Sequence, residues 1–241
     1  MKKVIYSLIL LVLIGTLFSN RVKLKNVYIK KTLEPVPMAI NINEVKLEMV
    51  KSDDVLPAEY NLDVPFMVQA PNESWDLPYQ EACEEAVIIM AHYYLNGEEL
   101  DIESADREIL DLVNWQEEYL GYYKDTTVAE TVYIIRKYWG HKVEVINNPT
   151  VDIIKRQIAS GSIVVAPFYG KALGNPYYSG DGPLYHMMVL KGYTDSKFIT
   201  NDPGTKRGEN YMYDYDVIMS AMHDWNDGDV ENGKAVIFIV K

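Results

Sequence analysis

Apolar residues in this 241-residue chain fall into helix-spaced stretches in the first half and continuous strand-length runs in the second. Cys83–Leu95 is an apolar stretch long enough for three helical turns, and Asn96-Gly97 stops it. Ile102–Tyr119 reads as a second helix with more polar spacing. Thr127-Val128-Ala129-Glu130 is a capping box, hydroxyl and carboxylate each satisfying an amide of the first turn; it starts a helix to about Trp139, with Gly140 as its stop. Thr150 caps a further helix that Gly161 ends. Predicted strands are Val64–Val68, Lys142–Ile146, Ser162–Phe168, His186–Tyr193, Lys197–Asn201 and Ala235–Val240, with a helix near Asp214–His223. Segregation of helices from strands predicts an α+β chain, unlike the alternation that builds a parallel sheet.

The N-terminal end follows different rules. Lys2-Lys3 precede Val4–Phe18, an uncharged apolar run, in the manner of an export signal. Residues 1–25 are therefore read as a signal peptide or signal-anchor that associates with the membrane. No small residue stands at the −3 position of either candidate cleavage site, which leaves cleavage and retention both open. Such a segment implies an extracytoplasmic domain, secreted or membrane-anchored, and a single cysteine suits an oxidising compartment. Residues 26–60, with possible strands at Val27–Lys31 and Glu44–Val50 around Glu34-Pro35-Val36-Pro37, form a lead-in, and 61–241 the main domain.

Charge then removes one class of partner. Residues 1–33 hold seven Lys/Arg and no acid, leaving 16 basic and 35 acidic residues and a net of −19 beyond them. A body so acidic repels a phosphate backbone, which argues against nucleic acid. Neither G-x-G-x-x-G nor G-x-x-x-x-G-K occurs, and no cofactor is expected.

Cys83 is the sole cysteine, so it has no internal disulfide partner and no thiolate companions for a metal. It is either a small core hydrophobe or a nucleophile at a helix N-terminus, where free N–H groups favour a thiolate. Of four histidines, His92 lies nine residues along the same helix, about 13.5 Å up the axis. His141 and His223 sit in a turn and near a helix end. His186 opens an apolar strand after the turn-rich stretch 174–183, where a scaffold would place a cleft residue. If the strands 186–193 and 197–201 form a hairpin turning at Asp195-Ser196, Asp202 falls opposite His186, where it can orient the ring. Asp202-Pro203-Gly204 also reads as plain turn chemistry.

On these residues the chain resembles the C39-like branch of the papain-like cysteine peptidases over about Val64–Lys241. The resemblance rests on Val64-Pro65-Phe66-Met67-Val68-Gln69, Trp75 through Ala86, Gly182–Met187 and Asn201–Thr205, in the family's order. It implies N-terminal helices packed on a C-terminal antiparallel sheet and a peptide or protein substrate. It also implies Cys83 as nucleophile, His186 as base, Asp202 as its orienting group and Gln69 as an oxyanion donor. Gln69 lies fourteen residues before Cys83, farther than the pattern usually has it, and Gln80, three residues before, competes for the role. Glu84-Glu85 suit the helix dipole yet oppose a thiolate by like charge. Peptidoglycan hydrolysis, acyl transfer to an amine and a catalytically inactive binding module are the alternative readings. Oligomeric state is not encoded in these features.

Overall fold

The computed structural model describes residues 35–42, 44 and 56–241. The N-terminal apolar run, the Val27–Lys31 strand and most of Glu44–Val50 lie outside the described residues. Within the unit Pro37–Lys241, the strands are β1 (Tyr60–Asn61), β2 (Val143–Asn147), β3 (Ile163–Tyr169), β4 (Tyr185–Tyr193), β5 (Lys197–Asn201), β6 (Tyr211–Asp214) and β7 (Val236–Val240). The α-helices are α1 (Cys83–Asn96), α2 (Ile102–Tyr119), α3 (Val128–Tyr138), α4 (Val151–Ala159) and α5 (Tyr215–Ala221). One sheet runs in the order β2-β7-β3-β4-β5-β6, with β1 beside the C-terminal end of β4, and every ladder is antiparallel. The α+β expectation holds.

All nine residues of β4 and all five of β7 are buried. A strand covered on both faces needs no polar alternation, which is why these stretches read as unbroken apolar runs. α1 and α4 pack on β4, and α3 on β7 and β2. α1 is apolar nearly all round, with eleven buried residues, because the sheet and α2 both contact it. Its C-terminus closes on Gly97 in the left-handed conformation, as Asn96-Gly97 required. The capping box of α3 forms with Thr127 and Glu130 in both directions.

Two local expectations fail for identifiable reasons. Val64–Val68 joins no ladder. Pro65 has no N–H to give, and the Asn201 side chain takes the place of a ladder by donating to the Val64 and Pro65 carbonyls at 3.1 and 3.2 Å. The hairpin register also differs. Val189 faces Asn201 and Tyr193 faces Phe198, with a bulge between Leu190 and Gly192. Continued past Asn201, that register sets Asp202 level with Met188, two residues beyond the expected partner. A shift of two keeps Asp202 on the face of His186, whereas a shift of one would have turned it away.

Candidate active site

Cys83 is the first residue of α1 and is 6% exposed. The first-turn amides of a helix have no intrahelical acceptors, so the sulfur sits at a cluster of unspent N–H groups. It lines a cleft of about 680 Å³ together with Gln69, Gln80 and His186. The backbone N–H of Met187 also reaches the sulfur, which puts the thiol against the start of β4.

His186 is 2% exposed, and its Nε2 stands 2.8 Å from Asp202 Oδ1. With the carboxylate accepting from Nε2, the other ring nitrogen is the acceptor in the neutral ring. Asp202 is wholly buried and accepts four further hydrogen bonds. The Gly204 amide donates to Oδ1 at 3.0 Å. Tyr178 and Tyr213 hydroxyls and the Asn175 amide donate to Oδ2 at 2.7, 2.8 and 3.0 Å. Burial alone would raise this carboxyl, but the adjoining His186 and the hydroxyl donors hold it below the usual carboxylate range. Tyr178 also packs edge-on against the His186 ring, centroids 5.6 Å apart. A Cβ at Gly204 would lie 2.9 Å from His186 Cε1 and 3.2 Å from Tyr178 Cε1, so only glycine lets the chain pass. The Asp202-Pro203-Gly204 turn thus serves the imidazole directly.

The remaining histidines are engaged elsewhere. His92 Nδ1 meets His141 Nε2 at 2.8 Å and stacks on Trp139. His223 lies against the Gly233 and Ser220 carbonyls.

Gln69 lines the cleft, and its side-chain amide is already occupied. Its Nε2 donates to the Tyr79 and Gln80 carbonyls, both at 3.0 Å, which uses both hydrogens. Its Oε1 is buried without a hydrogen-bond partner among the described residues. Gln80 lies in the same short 3-10 turn, Tyr79–Glu81, and also lines the cleft.

Glu84 and Glu85 are not the solvated first-turn carboxylates that their position suggests. They are 2% and 1% exposed. The Cys83 thiol donates to Glu84 Oε2 at 3.0 Å, and the Thr126 amide donates to Oε1 at 3.0 Å. Gln116 donates to Glu85 Oε1 at 2.5 Å. Burial, then the neighbouring Glu85 charge, pushes Glu84 well above the carboxylate range. Burial takes Glu85 up to about 7. Burial, then the Glu84 charge, pushes the Cys83 thiol up, against the Met187 amide.

Sequence reasoning missed Asn175, Tyr178 and Tyr213 as partners of Asp202. Tyr178 carried a signal, since Tyr177-Tyr178 precede the His186 strand in the turn-rich stretch. Tyr213 sits on β6, an element the hydrophobic pattern did not mark.

A thiol and an imidazole thus line one cleft, and a buried carboxylate stands behind the imidazole. A sequence profile of the Peptidase C39-like family matches residues 61–228, and the chain belongs to that family. Among solved structures, it is similar to a protein assigned as a C39-like peptidase from Bacillus anthracis. That match has 16% identity and a TM-score of 0.50 over 79% of this chain and 98% of the other. A weaker similarity, at 13% identity and a TM-score of 0.33, is to the peptidase domain of Streptococcus ComA, a bifunctional ABC transporter involved in a quorum-sensing pathway; it covers 73% of this chain and 97% of that domain. No functionally curated protein matches the chain.

Proposed function

We propose that this protein is a cysteine peptidase of papain-like arrangement that hydrolyses peptide bonds through Cys83, His186 and Asp202. Support comes chiefly from one observation. His186 lines the same cleft as the only thiol, and a buried Asp202 carboxylate fixed by five hydrogen bonds holds its far nitrogen.

In this reading His186 takes the Cys83 proton at Nδ1, and Asp202 stabilises the resulting imidazolium through Nε2–H. The thiolate attacks the scissile carbonyl carbon. The developing oxyanion accepts from the Cys83 backbone N–H in the open first turn of α1. Gln69 joins it by exchanging one of its two carbonyl acceptors for the oxyanion. His186 then gives its proton to the leaving amine, and water, activated by the same imidazole, hydrolyses the thioester. The natural substrate is a peptide or protein, and the proposed site of action is extracytoplasmic, supported by the basic start and apolar run of residues 2–18.

Incubation of the soluble body with a diverse peptide library, read by mass spectrometry, tests this reading. Internal cleavages that vanish in Cys83→Ala are expected. Murein fragments released while the peptides stay intact would point to a cell-wall enzyme, amide exchange with an added amine to acyl transfer, and no turnover with a normally reactive thiol to a binding module. The membrane proposal has its own check. The full-length chain expressed in its producing cell should sediment with membranes and keep its N-terminus.

A further inference from the structure

Glu84 touches the sulfur, which raises a charge problem that the triad alone does not solve. The titratable groups around its carboxyl are Cys83 and Glu85 on α1, Glu81 just before α1, Asp125 on the loop before α3, and Tyr185 and His186 on β4. Asp224 lies behind Tyr185, hydrogen-bonded to its hydroxyl at 3.1 Å. Only His186 in that set can carry a positive charge; Lys206 and Arg207 also line the cleft, but Lys206 pairs with Glu73 and Arg207 lies over the Tyr177 ring. Among the described residues no lysine or arginine forms an ion pair with Glu84. A thiolate beside an ionised Glu84 would place two negative charges at 3.0 Å, both buried, against one imidazolium already shared with Asp202.

We propose that Glu84 is a positioning residue of the nucleophile that works as a neutral carboxylic acid, donating its Oε2–H to the Cys83 thiolate. The Thr126 amide fixes Oε1 as the acceptor oxygen and turns Oε2 toward the sulfur, where the same 3.0 Å contact serves either direction of donation. In the resting thiol form, Sγ–H donates to Oε2. When His186 Nδ1 takes the thiol proton, the S–H bond breaks, an N–H bond forms, and sulfur keeps the electron pair. The proton on Glu84 stays on oxygen and its hydrogen bond turns to the sulfur. The side chain then supports the charge it would otherwise repel. Burial, which disfavours the carboxylate, supports the neutral form. The carboxyl is thus part of the nucleophile's environment rather than a defect of it.

The proposal rests on the peptidase reading, so its test uses thiol chemistry and needs no substrate. The rate constant for iodoacetamide alkylation of Cys83 is measured across about pH 5 to about pH 9 in wild type and Glu84→Gln, with folding checked by near-UV circular dichroism. The amide keeps an oxygen for Thr126 and a donor for sulfur but cannot ionise. Near pH 6 the two proteins should agree within about threefold. Glu84→Met, which offers the sulfur no donor, should react about tenfold more slowly than both. Glu84→Gln reacting about tenfold faster than wild type near pH 6 would show an ionised Glu84, and Glu84→Met matching wild type would show that the sulfur needs no donor; either result, with a reactive thiol, overturns this proposal alone. A Cys83 that reacts only after unfolding overturns both readings. Should Glu84→Gln fail to fold, infrared difference spectra of wild type labelled with carboxyl-13C glutamate decide the matter. A protonated-carboxyl band at neutral pH that shifts when Cys83 is methylthiolated is expected, and an unmoved spectrum overturns it.

Discussion

Around His186, single atoms decide the chemistry. Asp202 spends Oδ1 on the imidazole and on Gly204, and Oδ2 on two hydroxyls and an amide, so its carboxylate has no freedom to turn. His186→Ala should abolish turnover, because it removes both the base and the cation. Asp202→Asn keeps an acceptor for Nε2 and should lose kcat only in part, while Asp202→Ala should lose more, about 10³-fold or beyond. Equal losses in the two variants would mean that the negative charge, not the orientation, is what Asp202 provides. Gly204→Ala is a subtler probe, since its Cβ would meet the ring edge at 2.9 Å. It should lower kcat by at least about tenfold with a smaller effect on KM, by tilting His186 away from the sulfur. A kcat at the wild-type level would show that the loop yields instead. The sequence made Cys83, His186 and Asp202 visible because each stands at an element boundary with a chemical reason to be there. It could not show that Glu84 and Glu85 are buried: first-turn carboxylates ordinarily face water, and the covering groups come from Thr126 and Gln116, remote in sequence.

Elements carry these residues into register. The helix boundaries were readable because caps are local chemistry: Thr127 with Glu130, Thr150, and Gly97 each act within a few residues. The ladder was less readable. The bulge at Lys191 and the short strand β6 depend on partners across the sheet, and no local pattern encodes them. Gly192 lies in that irregular stretch, where a Cβ would come 2.6 Å from the Tyr60 carbonyl oxygen, so β1 can pair there only with glycine. Asn201 performs a comparable task from β5, tying down the Val64–Pro65 segment that leads to Gln69. Asn201→Ala leaves both carbonyls without that donor and should cost about 1–3 kcal/mol of stability. It should also reduce kcat, because the segment leading to Gln69 then relies on the hydrogen bonds from the Leu62 amide to Lys191 and from the Gln69 amide to Pro203. Chemical denaturation and initial rates on one preparation check both effects. An unchanged midpoint would show that Asn201 is not what holds the segment.

At the scale of the whole molecule, buried acids set opposing pH limits. Glu85 has a folded value raised to about 7, so the folded state keeps a proton that the unfolded chain releases near pH 4. That contribution is complete below the unfolded value and is lost as pH rises to about 7, on the order of 3 kcal/mol in all. Asp202 acts in reverse, its stabilisation present above the unfolded carboxyl value and lost on acidification. Denaturant unfolding across pH should therefore show a decline between about pH 5 and about pH 7 that Glu85→Gln flattens. A slope unchanged by that substitution would place the titration on another group. Native-state alkylation near pH 6 decides whether the buried Cys83 is a nucleophile paired with His186. One iodoacetamide adduct should form on the folded wild type faster than on a free-thiol peptide, whose pKa is about 8.5, and that advantage should disappear in His186→Ala. Labelling that appears only after denaturation, or that is indifferent to His186, would contradict that pairing.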